Sequence, residues 1–342
     1  MKEQKKQKNQ QKQQKQRNEM EQNNRSRFSD PKFVALIATL CCLLWGSAYP
    51  TIKLGYLAFD IMPEDIASKY VFAGYRFMLA GLLLLVLFRA TGKKVLSLSK
   101  SQLSSLLVLG LLQTGLQYIF FYVGVGNTTG VKGSIMNATT TFFSVILAHY
   151  LYKNDKLGKN KILGCLLGFV GVIVVNFHAD LLEFSFSFKG EGFVIVAALI
   201  FSITAIYAKK LTATIDVLLV TGYSLLIGGL ALTLLGLGLG GRVTHFTPES
   251  TFNLIYLALL SSAAFCLWNL LLKYNKVGQV SVYNFLIPVF GTLLSALFLG
   301  EQIMEYKNLV ALLFVSLGIY MVNRTRKELI VSQISAALRS SR

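Results

Sequence analysis

From residue 33 onward the chain alternates between long apolar runs and short polar ones. Apolar windows of about 17–25 residues, long enough to cross a bilayer as helix, fall at 33–54, 68–89, 103–124, 130–152, 160–177, 191–210, 215–239, 252–273, 279–299 and 306–323. The pattern predicts an all-α integral membrane protein of ten transmembrane helices. Ser29-Asp30-Pro31 has the form of a helix start, an acceptor side chain followed by a residue that needs no N–H partner. Residues 1–32 form a Lys/Gln/Asn-rich tail with nothing to bury and are expected to be disordered. A second basic tail runs over 324–342.

Composition strengthens this picture. Of 342 residues 54% are hydrophobic and only 15% charged, where soluble domains carry about a quarter charged residues. The formal charge of +18 does not point to nucleic acid, because no basic groove interleaved with aromatics accompanies it. Its placement reads as orientation instead. Arg89, Lys93, Lys94 and Lys100 fall on one side of the predicted membrane, as do Lys153, Lys156, Lys159 and Lys161, then Lys209, Lys210, Lys273 and Lys276. The opposite loops hold Asp60, Glu64, Asp65, Asp180, Glu183 and Glu249. The positive-inside rule then places both termini in the cytoplasm and the protein in the cytoplasmic membrane.

The four cysteines lie in apolar runs and read as small hydrophobes, and His149, His178 and His245 lack ligand spacing. Neither a metal site nor a cofactor is expected. A nucleotide-binding loop is absent from the sequence, which argues against ATP-driven pumping.

Sliding the chain on itself by 147 positions superposes 134–176 on 281–323. Ser134 meets Ser281, Asn137 meets Asn284, Phe143 meets Phe290, Gly171 meets Gly318 and Asn176 meets Asn323. "WGSAYPTIK" (45–53) likewise lies over "FSITAIYAK" (201–209), pairing Lys53 with Lys209. Two units of five helices result, 33–177 and 191–323, and an odd helix number turns the second unit upside down. Inverted repeats around a central cavity are a recurrent plan of secondary transporters.

"WGSAYPTIK", "YRFMLAGLLLL", "PVFGTLLSALFLGEQI" and "LGIYMVN" resemble the drug/metabolite transporter superfamily, specifically its EamA-type ten-helix carriers. The resemblance covers roughly 33–323 and implies transport without naming a substrate. It also carries a departure. Thr141 stands where such proteins often have a proline, opposite Pro288, and Asn154-Asp155 stands where the second repeat has Glu301. The first repeat is therefore expected to bend less than the second.

Buried polar groups in membranes mark pathways or interhelical bonds. The candidates for a substrate cavity are Trp45, Tyr49, Lys53, Arg76, Gln113, Gln117, Asn137, Thr141, Tyr207, Trp268, Asn269 and Asn284. Gln113 and Gln117 are expected to share a face of their helix. Arg76 is the deepest charge, two turns inside its helix. Either it joins Lys53 and Lys132 in an electropositive vestibule, or it pairs with Glu64 or Asp65 and braces the helices. No acid sits in the middle of a span, so the usual intramembrane proton carrier is missing.

These readings point to a secondary transporter of small polar metabolites such as amino acids, an exporter or exchanger working by alternating access. A channel is the alternative, and a membrane-embedded enzyme stands further off because no nucleophile–base constellation is present. The partners implied are a small-molecule substrate and membrane lipid, with no nucleic acid; a homodimer is compatible with the sequence.

Overall fold

The computed structural model describes residues 22, 25–92, 94–95, 98–177, 186–299 and 306–340. Most of the amino-terminal tail, Lys93, His178, Asp180, Glu183, Glu301 and the last two residues lie outside that set. The described residues contain helices and no strand.

Helix α1 (Pro31–Ala58) opens as the sequence predicts: Asp30 Oδ2 accepts from Phe33 N at 2.9 Å and Pro31 takes the first turn. It carries Pro50 in its interior, which removes one rung of the helical ladder. Close by, Ser47 Oγ donates to Leu44 O and Thr51 Oγ1 to Ser47 O, each at 2.8 Å. Helix α2 (Ile66–Ala90) is capped by Asp65 and ends with Arg89 at its negative pole. Helix α3 (Lys100–Gly126) contains a wide π turn at Leu111–Leu116.

Two short helices follow, α4 (Gly130–Asn137) and α5 (Thr139–Leu151), then α6 (Lys159–Val175). The second half comprises α7 (Phe188–Leu211), α8 (Val217–Gly238), α9 (Pro248–Tyr274), α10 (Val277–Phe298, with a 3-10 turn at Val282–Phe285) and α11 (Tyr306–Ser340).

Eight helices are long and apolar enough to cross a membrane among the described residues. The predicted spans 130–152 and 160–177 correspond to α4–α5, interrupted at Ala138, and to the 17-residue α6. Both repeats are interrupted at this level, the first at Ala138 and the second at the 3-10 turn Val282–Phe285. Thr139 and Thr140 donate their hydroxyls back to the carbonyls of Met136 and Asn137, so threonines accompany a break with no proline present.

Packing turns the usual soluble pattern inside out. Leu36, Leu57, Val86, Leu163, Leu234 and Leu313 are exposed, whereas Arg76, Gln113, Asn269 and Asn284 are buried, as hydrocarbon solvent requires. Helix α2 lies along α8 and α6 along α11; α1 rests on α9 and α10, and α7 on α3 and α5. Glycine seams allow this. A Cβ on Gly318 would come 2.5 Å from Gly164 O and 2.8 Å from Gly168 N, and one on Gly46 would come 2.7 Å from Phe290 Cβ.

Candidate functional site

Ten residues into α2, Arg76 lies about 15 Å along the axis at 1.5 Å per residue, deeper than the sequence suggests because α2 begins at Ile66. It is 3% exposed. Its Nε donates to Ser261 Oγ of α9 at 2.7 Å, and its guanidinium carbon lies 4.8 Å from the centre of the Phe77 ring. Ser261 in turn donates to Leu257 O at 2.6 Å. The predicted pairing with Glu64 or Asp65 is not seen: Asp65 caps α2 through Ser68 N, no carboxylate pairs with Arg76 among the described residues, and the link Arg76 makes between helices runs to Ser261 of α9. A guanidinium has five donors, and Nε makes the one side-chain hydrogen bond found for it there.

Three tyrosines stand in the field of this cation: Tyr56 of α1 and Tyr118 and Tyr122 of α3. Tyr118 packs on Phe77 with ring centres 4.6 Å apart, and Tyr122 on Tyr118 at 5.9 Å. Tyr56 Oη is buried without a hydrogen bond of normal geometry, although Tyr122 lies near it. Tyr118 also interacts with Tyr49, which meets the Asn137 side chain in a hydrogen-bonding contact. Arg76 of α2 and these tyrosines of α1 and α3 thus form one electrostatically linked group, with Asn137 of α4 joined to it through Tyr49.

An aromatic wall closes one side. Trp45 meets Trp268, Phe265 and Phe201 at centroid distances of 5.1, 5.5 and 6.4 Å, and Phe265 reaches Phe77 at 6.3 Å. The wall belongs to α1, α7 and α9, so Trp45 and Trp268 are interior residues and not interfacial anchors.

The structure therefore brings together Trp45, Tyr49, Arg76, Asn137 and Trp268. It uses several other candidates elsewhere. Ser224 of α8 donates to Gln113 Oε1 at 3.1 Å, and Asn269 Nδ2 to Thr221 Oγ1 at 2.9 Å. Both are bonds between helices. Gln117 differs from Gln113 in that its buried Oε1 has no hydrogen-bond partner among the described residues, and the same holds of Asn284 Oδ1 in the 3-10 turn. Thr141 donates to Ser281 O at 3.2 Å, joining α5 to α10. Tyr207 packs in a separate apolar cluster with Phe88, Leu109 and Leu219.

The expected convergence of three cations is not seen. Lys53 is exposed on α1, five residues before its end. Lys132 lies in the field of Glu191, whose carboxylate accepts from Thr128 Oγ1 and Ser187 N at 2.7 Å. Arg76 is the cation at the centre.

Sequence reading missed Tyr56, Tyr118, Tyr122 and Ser261. Three of these had a signal: Tyr118 and Tyr122 are four apart on one helix face, and Tyr56 lies seven after Tyr49. It also missed Asp155, which is 2% exposed although it lies in a loop. Lys161 Nζ donates to Asp155 Oδ1 at 2.7 Å and also to Asp155 O and Lys156 O, while Asp155 Oδ2 accepts from Gly278 N at 2.9 Å. The 153–161 loop is thereby tied to the first turn of α10. Lys209 donates to Leu272 O and Asn275 O, neutralising the carboxyl end of α9.

Comparison with known proteins follows the same lines. The model of the EamA-like transporter family matches residues 32–177 and again residues 188–324. An uncharacterized transporter of Archaeoglobus fulgidus is 28% identical over 278 residues, covering 78% of this chain and 89% of that one. The uncharacterized transporter YoaV of Bacillus subtilis is 28% identical over 284 residues, covering 82% and 92%. A solved crystal structure superposes with a TM-score of 0.71 at 18% identity, covering 86% of this chain and 98% of that one, a likeness of fold.

Proposed function

Because the chain belongs to the EamA-like transporter family and is a multi-pass membrane transporter, we propose that it is a secondary carrier for small polar metabolites bearing a carboxylate, such as amino acids. It works as an exporter or exchanger across the cytoplasmic membrane, with both termini in the cytoplasm. The observation that carries this reading is Arg76, buried about three turns into α2 with one side-chain hydrogen bond and no paired acid among the described residues. An uncompensated charge in such a place is expensive. A substrate carboxylate supplies the missing partner, and a guanidinium fork binds it bidentately. The tyrosine hydroxyls orient the rest of the molecule, and the aromatic wall of Trp45 and Trp268 excludes water behind it.

Alternating access is supported by correspondences between the halves. Counting α4–α5 as one interrupted crossing and α6 as another gives ten. The break at Ala138 and the 3-10 turn at Val282–Phe285 fall at positions matched by the 147-residue shift. Helix α1 on α10 is mirrored by α7 on α5, and α1 on α9 by α7 on α3; α2–α8 and α6–α11 each join counterparts. Trp45 meets Phe201, its own counterpart. Such exchange symmetry is what two interconvertible faces need. On the predicted cytoplasmic face, the tie from Asp155 to Gly278 holds α10 closed.

Reconstitution tests the proposal. Flux of a labelled amino acid in proteoliposomes should saturate and should rise when unlabelled substrate is loaded on the far side. Linear flux without counter-substrate stimulation would mean a pore.

A further inference from the structure

At the end of the molecule where Asp155 meets α10, a cleft of about 430 Å³ opens between the α5–α6 loop, the end of α7 and the α9–α10 turn. Tyr152, Asn154, Lys209, Lys273, Asn275 and Lys276 line it. Asp155, the acid in the lining, is spent: one oxygen faces Lys161 and the other Gly278 N–H. The three lysines are left without a carboxylate at ion-pair distance among the described residues. Lys273 Nζ rests over the Tyr274 ring at 5.5 Å, and Lys209 Nζ, besides its two carbonyls, lies 5.9 Å from the centre of the Tyr152 ring.

We propose that this cleft is a binding site for a phosphate-bearing anion, separate from the Arg76 site. Three ammonium groups lining one partly enclosed space concentrate positive potential there; Lys273 and Lys276 offer donors to acceptor oxygens, and Lys209 adds the charge it keeps beside its two carbonyls. The amides of Asn154 and Asn275 line the same space, and Asn275 Nδ2 already donates to Phe28 O and Leu271 O, so the lysines carry recognition. The volume exceeds that of a bare phosphate and matches the range of sites for small organic ligands. The occupant is therefore a phosphate joined to a compact polar body. Basic pockets between helices at the cytoplasmic side take anionic lipid headgroups in this way; a soluble phosphomonoester presents the same chemistry. Because the walls come from the 153–161 loop and the α9–α10 turn, an occupant also strengthens the closure that Asp155 makes.

The test uses the full chain purified in detergent and freed of lipid. Glycerol 3-phosphate is titrated by calorimetry, and phosphatidylglycerol adducts are counted by native mass spectrometry. Wild type should bind at least one of the two probes: adducts alone identify a lipid headgroup, and calorimetric binding a soluble phosphate. The double variant Lys273→Gln, Lys276→Gln removes two charges from side chains that make no hydrogen bond among the described residues, so it should stay folded and bind about tenfold more weakly or worse. Arg76→Gln should leave this binding unchanged. The proposal is overturned if wild type binds neither probe, or if the monodisperse double variant binds as wild type does. Loss of binding in Arg76→Gln would also overturn it, placing the phosphate at the central site.

Discussion

Arg76 and Asp155 are both almost wholly buried charges, 3% and 2% exposed, and they are treated in opposite ways. Asp155 is saturated: Lys161 takes one oxygen and the α10 backbone the other, and the Lys161 ammonium spends its remaining donors on carbonyls. Arg76 keeps most of its donors, with a serine on one nitrogen and aromatic rings around it. A fully partnered buried charge fixes two segments against each other. A buried charge with donors to spare is set up for a ligand. On the proposed reading, the difference separates a residue that ties two segments together from a residue open to a ligand.

Substitution at each kind of site sharpens the contrast, beginning with the largest effect on stability. Asp155→Ala strands Lys161 and frees α10, and should destabilise by about 3–5 kcal/mol, the usual consequence of breaking a buried pair. Thermal unfolding measures this, and a cysteine at Gln279, now buried, should label faster from the 153–161 side. Asp155→Asn keeps an acceptor for Gly278 and should fall in between. Unchanged unfolding and labelling in Asp155→Ala would dismiss the tie.

The glycine seams come next. Gly318→Ala places a methyl against the Gly164 carbonyl at 2.5 Å, and overpacking of that kind lowers stability by about 1–3 kcal/mol. Gly115→Ala has nothing nearer than 3.8 Å and should be close to neutral in the same unfolding assay. Equal effects at the two sites would remove close helix approach as the reason for the seam. The smallest change belongs to Ser224→Ala. It removes one hydrogen bond to Gln113 and should lower stability by about 1 kcal/mol while leaving the KM of transport as it was, since Gln113 is engaged between helices.

Much of the fold is written in the apolar runs. The Asp30-Pro31 start is seen as predicted, and 68–89 and 306–323 lie within Ile66–Ala90 and Tyr306–Arg324. Hydropathy is blind to the break at Ala138 because a window averages over it, and the threonine hydroxyls that accompany it are local chemistry. It is blind as well to the π turn at Leu111–Leu116, where only the hydrogen-bond register changes. Arg76 stands out in the sequence as a deep charge. Its partners do not, because Ser261 lies 185 residues away. Asp155 reads as a solvated loop acid for the same reason: its backbone partner Gly278 is 123 residues on.

The central claim is that Arg76 receives the substrate's carboxylate. The direct measurement is proteoliposome uptake of a carboxylate substrate and of its neutral amide, by wild type and by Arg76→Gln at matched reconstitution. Loss of one partner of a buried charge pair predicts a drop of about a hundredfold in carboxylate uptake, with amide uptake and the thermal midpoint little changed. A folded Arg76→Gln protein that carries both compounds as wild type does would contradict the account.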